Sequence, residues 1–376
     1  MLNLLFFFSK IRVVSIEKVL QDFHIKEKSC VFVYFFIVID MTDSKNVIVA
    51  LDAMGGDFAP QEQVKGAVWA AEADSNIIIK LFGDESLIRA ELAKYKYNSD
   101  QLVPVHCSEV VENCEIPTVA IRQKKDSSMV RGLYAVRNRE ADSFLSCGNT
   151  GALLVGGQTI TGRVKGVNRA ALAFLIPSMQ KPVLLLDCGA NVDTKPQMLV
   201  QFAAMGSVYM ENVMGVKNPR VGLINIGEEE AKGNQLVQET FPLLKECAGL
   251  NFTGSIETRG ITQGLVDVAV CDGFVGNIIL KTYEGVAATM LDVIKDALTS
   301  DVKSKVGAIL VKDQLKKSMK QFSVEEYGGA PLLGLKNFVA KTHGNSRASE
   351  VKNTILQCAK AVSEDICDKI AEYINV

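Results

Sequence analysis

From Val47 onward, short apolar runs rich in β-branched residues alternate with helical stretches along the chain. This alternation predicts βαβ units, in which parallel strands form a sheet and helices cover both of its faces. The runs are continuously apolar rather than alternating with polar residues, as expected for strands that are buried on both faces. The sequence therefore predicts a three-layer α/β/α fold with a mostly parallel sheet.

The predicted strands share this continuous apolar character. They are Val47–Asp52, Ile77–Phe82, Val103–His106, Ser143–Cys147, Ala171–Leu175, Val183–Asp187, Arg220–Asn225 and Val266–Cys271. Helices are predicted between them from apolar residues that recur at helical spacing. These helices are Gln61–Ala73, Gly151–Thr161, Lys195–Val213, Asn234–Cys247 and Asn277–Ser300, and a final helix is predicted over Ala348–Ile370.

The chain of 376 residues has no Pro/Gly/Ser-rich linker, so we predict one large domain over residues 41–376. Residues 1–40 differ, because two strongly apolar runs, residues 1–8 and 31–39, enclose a charged stretch. Neither run has the roughly 20 residues that a membrane-spanning helix needs. We interpret residues 1–40 as an N-terminal extension from a mis-called start, with Met41 as the natural start. A weak membrane-touching segment is the alternative.

Composition and missing motifs exclude several classes of protein. A net charge of −2 gives no global basic field for nucleic acid. The nine cysteines form no CxxC pair, which indicates reduced thiols in a cytosolic protein, and none of the three histidines has a cysteine at metal-binding spacing. No two glycines are separated by a single residue, so GxGxxG is absent, as are GK[ST] and GxSxG. These absences argue against a dinucleotide fold, a Walker loop and an α/β-hydrolase.

Glycine and asparagine cluster where predicted strands end, in residues 52–57, 146–151, 187–196, 225–234 and 271–277. Because the carboxyl ends of parallel strands meet at one edge of a sheet, we predict that these loops build one site. The candidate ligand-binding residues are Asp52, Gly55, Gly56, Asp57, Gly148, Asn149, Thr150, Gly151, Asp187, Asn225, Asn234 and Asn277.

The loop 146–151 has the form of a phosphate or oxyanion cradle. Glycine lets the backbone approach a ligand, and free N–H groups at a helix start bind anions. Asn149 and Thr150 would add side-chain donors, and Lys195 could supply a positive charge. The alternative is structural, since Asn, Asp and Thr are also common turn and cap residues. His343 lies in a Gly/Asn/Ser turn before the final helix, although a lone histidine is more often structural.

Seven motifs in order, ALDAMGGDFAP, SCGNTGALL, LLLDCGANVDTKP, NIGEEEAKGN, CDGFVGNIILK, YGGAPLLG and HGNS, resemble the phosphate acyltransferase family. The resemblance runs from about residue 46 to the C-terminus. It implies a fold similar to isocitrate dehydrogenases and phosphotransacetylases, in a cytoplasmic homodimer loosely associated with the membrane. It also implies transfer of a fatty acyl group from acyl carrier protein to inorganic phosphate, with no metal or organic cofactor. The acyl-phosphate would pass to a membrane glycerol-phosphate acyltransferase for phosphatidic acid synthesis.

For that reaction, phosphate is already a nucleophile at neutral pH, so no serine or cysteine triad is required. The protein must hold anions near a thioester and stabilise the tetrahedral oxyanion. We therefore predict Lys195 and Asn191 as catalytic residues that supply charge and a hydrogen bond. His343 is a candidate acid for the leaving thiol.

Residues 302–322 interleave lysines with apolar residues, which predicts a basic amphipathic helix or helix pair. This segment could bind acyl carrier protein, which is acidic, or anionic lipid headgroups, or it could be a solvated helix face. Rival functions are a phosphotransacetylase that uses acyl-CoA, a dehydrogenase of the isocitrate type, and a non-catalytic acyl- or lipid-binding partner protein.

Overall fold

A mixed sheet of eleven strands organises residues 46–320 and 327–375, which are the residues described by the computed structural model. The strands are β1 (Val47–Asp52), β2 (Ile77–Gly83), β3 (Leu102–His106), β4 (Ser143–Ser146), β5 (Ala171–Ile176), β6 (Val183–Leu186), β7 (Val221–Ile224), β8 (Phe252–Ile256), β9 (Val268–Val270), β10 (Ala330–Leu333) and β11 (Phe338–Lys341). Their order across the sheet is β3-β2-β1-β4-β11-β10-β5-β6-β9-β7-β8. The expectation for residues 1–40 lies outside the described residues.

Helices connect most of these strands. They are α1 (Gln61–Ala73), α2 (Glu85–Leu92), α3 (Pro117–Gln123), α4 (Ser128–Arg137), α5 (Thr150–Gly156, continued by a π-helical turn Gly157–Thr161), α6 (Pro196–Asn212), α7 (Gln235–Glu246), α8 (Arg259–Gln263), α9 (Gly273–Thr299), α10 (Val302–Lys320), α11 (Ala348–Ser363) and α12 (Ile366–Asn375). The α/β/α prediction and every predicted strand are confirmed, with ends shifted by a few residues. The predicted final helix is instead two helices, because Asp365 adopts a positive φ of 49° between them.

The strands β8, β10 and β11 have no counterpart among the predicted strands. β10 lies within residues 327–334, which the sequence indicates as a loop or turn between elements. Pro331 argues against a strand there, because proline cannot donate to a ladder of hydrogen bonds. In the structure Pro331 nevertheless pairs with Ala340 of β11, and β10 lies near the middle of the sheet.

The sheet reverses direction near its middle. β4 and β11 are parallel, but the next pairings, β11 with β10, β10 with β5 and β5 with β6, are all antiparallel. Three reversals in a row leave β6, β7, β8 and β9 pointing opposite to β1, β2, β3, β4 and β11. We call the edge where β1, β4 and β11 end the upper edge, and the edge where β6, β7 and β9 end the lower edge. The prediction that all the Asn/Gly loops share one edge is therefore wrong.

Two apolar clusters pack on the two faces of the sheet. On the front face, Ala50, Phe144 and Val339 of the strands pack with residues of α3, α4, α5, α8 and α9. On the back face, neighbouring strand residues such as Leu51 and Leu145 pack with α1, α2, α6, α7, α11 and α12. Successive side chains of a strand point to opposite faces, so each strand contributes to both clusters.

The helices α9 and α10 extend beyond the rest of the fold. Of the 27 residues of α9, the buried ones are Gly273, Gly276 and Leu280, all in its first third. Apolar side chains farther along α9 and on α10 are exposed, including Met290 and Leu310. Within the described ranges, no helix combines the length and the apolar character that crossing a bilayer requires.

Candidate active site at the upper edge of the sheet

A row of polar side chains crosses three neighbouring strands at the upper edge. Asp52, Ser146 and Lys341 are the last residues of β1, β4 and β11, respectively. Lys341 is directly opposite Ser146 in the parallel register, and Leu51 is opposite Leu145, which brings Asp52 beside Ser146. Each of the three lies two residues after a strand residue of the front-face cluster, so all three point to the front face. All three side chains are buried.

Asp52 and Ser146 form the hydrogen-bonded half of this row. The Ser146 hydroxyl donates to Asp52 Oδ2 over 2.7 Å and accepts from the Gly148 N–H over 3.0 Å. Burial raises the pKa of Asp52, although its hydrogen bonds act in the opposite direction. A Cβ atom at Gly55 would lie 2.6 Å from Asp52 Oδ2 and 2.7 Å from the Gly148 nitrogen. Only glycine fits at Gly55, so this loop is shaped to pack directly on the row.

Lys341 forms the cationic end of the row. Its Nζ donates to the carbonyl oxygen of Cys147 over 3.3 Å and to that of Thr342. Among the ion pairs formed by the described part of the chain, none includes Lys341. Burial lowers the pKa of Lys341. The upper edge therefore holds a buried amine whose hydrogen bonds run to neutral carbonyl groups.

The turn after β11 carries His343 onto α9. The Nε2 atom of His343 lies 3.0 Å from Glu284 Oε1, and the imidazole meets the Phe174 ring edge-on at 6.3 Å. Glu284 also forms an ion pair with Lys281 at 2.8 Å. Burial raises the pKa of Glu284, but the contacts with His343 and Lys281 outweigh burial and hold the pKa below its usual value. Glu284 therefore contacts both His343 and Lys281.

The loops after β1 and β11 are joined at the backbone. The Asp57 N–H donates to the Gly344 carbonyl over 2.7 Å. Gly56 has a φ of +100°, and a Cβ there would lie 2.9 Å from the same carbonyl oxygen. The left-handed conformation and the close approach both require glycine. This contact fixes the turn that bears His343 relative to the polar row.

Cys147 lies directly after Ser146 but is poorly suited to act as a nucleophile. The Thr342 hydroxyl lies 2.8 Å from its sulfur, and the side chain is fully buried. Burial raises the pKa of Cys147 to about 11. A thiol needs a depressed pKa to attack as a thiolate at neutral pH, so the site favours chemistry without a covalent cysteine intermediate.

In residues 146–151, the predicted phosphate or oxyanion cradle, several hydrogen-bond donors are already bonded to other groups of the protein. Asn149 caps α5 by accepting from the Ala152 N–H over 3.0 Å. Its amide nitrogen donates to the carbonyls of Glu112, Asn113 and Glu115 over 3.1 to 3.2 Å. The side chain of Asn149 thus holds residues 112–115 against the start of α5. The Gly148 N–H is bonded to Ser146, Gly151 packs against Pro117, and Thr150 is exposed.

The loop after β6 lies at the lower edge and has its own network. Asp187 accepts backbone hydrogen bonds from Leu172, Gly189, Ala190 and Asn191 over 2.7 to 3.3 Å. The Asn191 amide donates to Asp187 Oδ2 and to the Ala170 carbonyl, each over 2.8 Å. These contacts use both side chains to hold the loop against β5.

The other candidates from the lower-edge half of the sheet lie apart from His343 along the strands. Asn225 donates to the Lys232 carbonyl over 3.1 Å and to the Ser255 hydroxyl over 3.3 Å. Asn234 caps α7 by accepting from the Val237 N–H over 3.0 Å. Lys195, directly before α6, and Asn277 are exposed. Lys195 and Asn191 follow β6, whereas His343 follows β11, so the three predicted catalytic residues are divided between the two edges.

Sequence reasoning assigned no role to Lys341, Glu284 or Lys281. Lys341 ends a short apolar strand that was not predicted. The sequence signal that could have identified Lys341 is a lysine within an apolar run, because lysine is rarely buried. Glu284 and Lys281 are three residues apart on a long helix, where a charged pair usually marks a solvated face. Only the tertiary contact with His343 distinguishes them.

An apolar cavity of about 850 Å³ lies along α9. Its walls come from α8 and the end of β5 on one side and from α9 on the other, with Ile261, Pro177, Tyr283, Ala287 and Met290 among the lining residues. Tyr283 donates from its hydroxyl to the Pro177 carbonyl over 3.3 Å. Because Tyr283 and Glu284 are consecutive, one turn of α9 faces both the cavity and His343. Within the described residues, no group of His, Cys, Asp and Glu is arranged to hold a metal ion.

Comparison with known proteins gives consistent matches over this part of the chain. A family model described as a fatty acid synthesis protein matches residues 47–369. The phosphate acyltransferase of Clostridium acetobutylicum is 46% identical over 329 residues, which are 88% of this chain and 99% of that relative. The phosphate acyltransferase of Clostridium novyi is 46% identical over 327 residues, 87% of this chain and 98% of that relative.

Solved structures agree with the fold. A phosphotransacetylase from Streptococcus pyogenes superposes with a TM-score of 0.56 at 16% identity, covering 85% of this chain and 95% of that one. A phosphotransacetylase from Staphylococcus aureus superposes with a TM-score of 0.55 at 16% identity, covering 85% of this chain and 95% of that one. At such low identity the likeness concerns the α/β architecture alone.

Proposed function

Because the chain belongs to the phosphate acyltransferase family, an acyltransferase family, we propose that it moves a long-chain fatty acyl group from acyl carrier protein to inorganic phosphate. The product is an acyl-phosphate that serves phosphatidic acid synthesis. The observation that carries the proposal is the arrangement on α9, where consecutive residues Tyr283 and Glu284 face an apolar cavity and His343, respectively. An acyl chain and a reacting thioester need such an apolar space beside a polar centre.

The reaction requires little covalent chemistry from the protein. A phosphate oxygen attacks the thioester carbonyl carbon, and a C–O bond forms as the carbonyl oxygen becomes negatively charged. Collapse of this intermediate breaks the C–S bond, and the sulfur takes a proton. Positioning of the two reactants and stabilisation of the developing charge supply most of the rate in such a step.

His343 is the proposed acid for the leaving sulfur. Its Nε2 atom faces Glu284, which leaves Nδ1 as the nitrogen available to the substrate. Glu284 fixes the ring orientation, as a carboxylate does for a catalytic histidine elsewhere. The high pKa of Cys147 supports direct attack by phosphate over a cysteine-bound acyl intermediate.

The cavity supports a long acyl chain over an acetyl group. Its lining is predominantly apolar, with Ile278, Ile279, Val286 and Met290 on α9. Burying apolar surface contributes about 0.8 kcal/mol per methylene, so a chain that fills such a space gains affinity with each carbon. A phosphotransacetylase acting on acyl-CoA is the second candidate, and the shared architecture with the two phosphotransacetylases is the observation that favours it.

The projecting helices are the proposed contact region for partners. Val293, an exposed apolar residue of α9 outside the cavity lining, supports a homodimer in which this side chain is covered. On α10, Lys303 and Lys305 lie among exposed Val302 and Val306, which supports contact of residues 302–322 with acyl carrier protein or anionic lipid. Residues 321 and 322 of this segment are outside the described ranges. A peripheral membrane position would favour delivery of the acyl-phosphate to a membrane glycerol-phosphate acyltransferase.

The test incubates purified protein with palmitoyl-acyl carrier protein, with and without inorganic phosphate, and measures free thiol and acyl-phosphate. We expect phosphate-dependent release from the carrier protein and little from palmitoyl-CoA. Equal use of palmitoyl-CoA would favour the phosphotransacetylase alternative. No release from either donor would remove the enzymatic assignment and favour a non-catalytic acyl-binding protein.

A further inference from the structure

We infer that Lys341, assisted by Lys281 and His343, forms the binding site for the inorganic phosphate that accepts the acyl group. The inference rests on the proposed function, because it assigns a site to one of the two proposed substrates. It concerns residues to which the sequence motifs gave no role in binding phosphate.

Lys341 is a buried amine that forms no ion pair with the residues in 46–320 and 327–375. Lys341 is only 7% exposed, and its hydrogen bonds run to the carbonyl oxygens of Cys147 and Thr342. An ammonium group taken out of water is costly unless an opposite charge lies close to it. The carboxylates of Glu350 and Asp52 raise the pKa of Lys341, and Asp52 is already hydrogen-bonded to Ser146. A bound anion would offset this cost.

Lys281 on α9 approaches Lys341. Burial lowers the pKa of Lys341 and the charge of Lys281 acts in the same direction, whereas nearby acidic side chains act in the opposite direction and more strongly than Lys281 does. Lys281 also joins Glu284, which contacts His343 at 3.0 Å. A phosphate dianion beside Lys341 and Lys281 would be attracted to both amines.

Lys341 also lies close to the proposed acid, His343. Lys341 and Ser146 are opposite each other at the upper edge, and His343 is two residues farther along the same segment. A phosphate held by Lys341 would therefore lie beside the proposed acid for the leaving thiol. Lysine binds phosphate as a compact point charge with three donors. Two of its donors are used by carbonyls here, which leaves one for a phosphate oxygen.

A phosphate group could also come from the phosphopantetheine arm of the donor. The structure favours the free ion, because Lys341 is buried within the sheet edge and a phosphodiester would have to enter with both of its substituents. The two sources can be separated by titrating the protein with inorganic phosphate and, in parallel, with holo-acyl carrier protein, whose arm carries the phosphodiester.

The experiment compares wild type, Lys341→Met, and Lys217→Met as a matched control on an exposed loop. Calorimetric titration with inorganic phosphate, at constant ionic strength and without any acyl donor, gives the dissociation constant. We expect Lys341→Met to weaken phosphate binding by at least about tenfold, the scale of one lost charge-assisted hydrogen bond. Lys217→Met should bind as wild type does. Unchanged phosphate binding by Lys341→Met, or weakened binding of holo-acyl carrier protein alone, would overturn the inference.

Thermal unfolding without phosphate separates a binding role from a structural one. Methionine nearly matches lysine in length and removes an unpaired buried charge, so Lys341→Met should melt at or above the wild-type temperature. If Lys341→Met fails to fold, the exposed Lys281→Met variant provides the test, with a smaller but measurable loss of phosphate affinity expected. Wild-type affinity in Lys281→Met would then count against the site.

The outcome is independent of the acyl-transfer assay. Phosphate binding that depends on Lys341, without thioester cleavage, would keep the site and reject the proposed reaction. Acyl transfer with an unchanged KM for phosphate in Lys341→Met would keep the reaction and reject the site.

Discussion

His343 and Glu284 link the two oppositely directed halves of the sheet through a contact of 3.0 Å between Nε2 and Oε1. His343 follows β11, which ends at the upper edge, whereas Glu284 belongs to α9, which follows β9 and starts at the lower edge. α9 runs back across the front face and presents Glu284 where β11 ends. The site is therefore assembled from segments that come from both halves of the chain.

Replacing His343 with glutamine should reduce kcat for acyl-phosphate formation by about 10²- to 10⁴-fold, the usual contribution of a general acid. The protein should stay folded, because the His343 side chain is about 39% exposed. The assay measures kcat with palmitoyl-acyl carrier protein. His106→Gln, at the exposed end of β3, is the control. A donor with a more acidic thiol should restore part of the lost rate, and equal losses for both donors would argue against a role in protonation.

Glu284→Gln should lower stability at neutral pH but not at acid pH. The pKa of Glu284 lies below its ordinary value of 4.5 in the folded protein, since its contacts with His343 and Lys281 outweigh burial. A depressed acid pKa stabilises the fold above the ordinary pKa, and this contribution disappears as pH falls through the folded-state pKa. The melting temperatures of wild type and Glu284→Gln should thus differ at pH 7 and converge below about pH 4.5. A constant difference across this range would contradict the assignment.

Ser146→Ala should destabilise the protein by about 1–3 kcal/mol, the cost of leaving buried polar groups without their partner. The change removes both the donor to Asp52 Oδ2 and the acceptor of the Gly148 N–H. Urea denaturation measures the free energy of unfolding. Ser143→Ala in the same strand is the control. Among the described residues, the Ser143 hydroxyl contacts the Cys358 thiol, which is a weak hydrogen-bonding group. Equal losses in the two variants would show that the hydroxyl of Ser146 has no special role.

Ala287→Trp should shorten the acyl chains that the protein uses. Ala287 lines the apolar cavity, and an indole ring would occupy part of its volume. We expect kcat/KM for palmitoyl-acyl carrier protein to fall by about tenfold or more, as when a pocket loses several methylene contacts, while the value for the butyryl donor changes little. Ala288→Trp, on the adjacent position outside the cavity lining, is the matched control. A similar loss with both donors would mean that the cavity does not hold the acyl chain.

Alkylation should spare the cysteine beside the site. The pKa of Cys147 is about 11, so roughly one molecule in a thousand carries its thiolate at pH 8. Cys114 is exposed. Iodoacetamide at pH 8 should modify Cys114 well before Cys147, as measured by peptide mass spectrometry, and activity should persist while Cys147 remains unmodified. Rapid loss of activity together with modification of Cys147 would point to a covalent cysteine intermediate.

Much of the fold could be predicted because the buried strands are continuously apolar, as in residues 183–186 and 268–270. The reversal of strand direction could not be predicted, since local patterns identify strands but not their partners. β10 was hidden by Pro331, a residue that normally marks an edge or a turn. β10 is antiparallel to both β11 and β5, so these two pairings cancel, and the net reversal comes from the antiparallel pair β5 and β6.

The Asn/Gly loops illustrate a second limit of sequence reasoning. Asn149 and Asn234 cap helices, and Asn191 holds a loop, through the same chemical groups that would bind a ligand. The sequence cannot tell which use is made of an amide, because both uses occur at strand ends. The catalytic roles predicted for Asn191, Lys195 and His343 stay predictions, and His343 is the one of the three that follows a strand ending at the upper edge.

α9 also acts as a spacer of fixed length. Asp272 caps its start at the lower edge by accepting from the Val275 N–H over 2.9 Å, and Glu284 meets His343 at the other edge. At 1.5 Å per residue, the twelve positions from Asp272 to Glu284 span about 18 Å. One inserted or deleted residue in this interval would turn Glu284 by about 100° around the helix axis, away from His343. The number of residues in this interval is therefore as constrained as their identity, and substitutions should be tolerated there far better than changes in length.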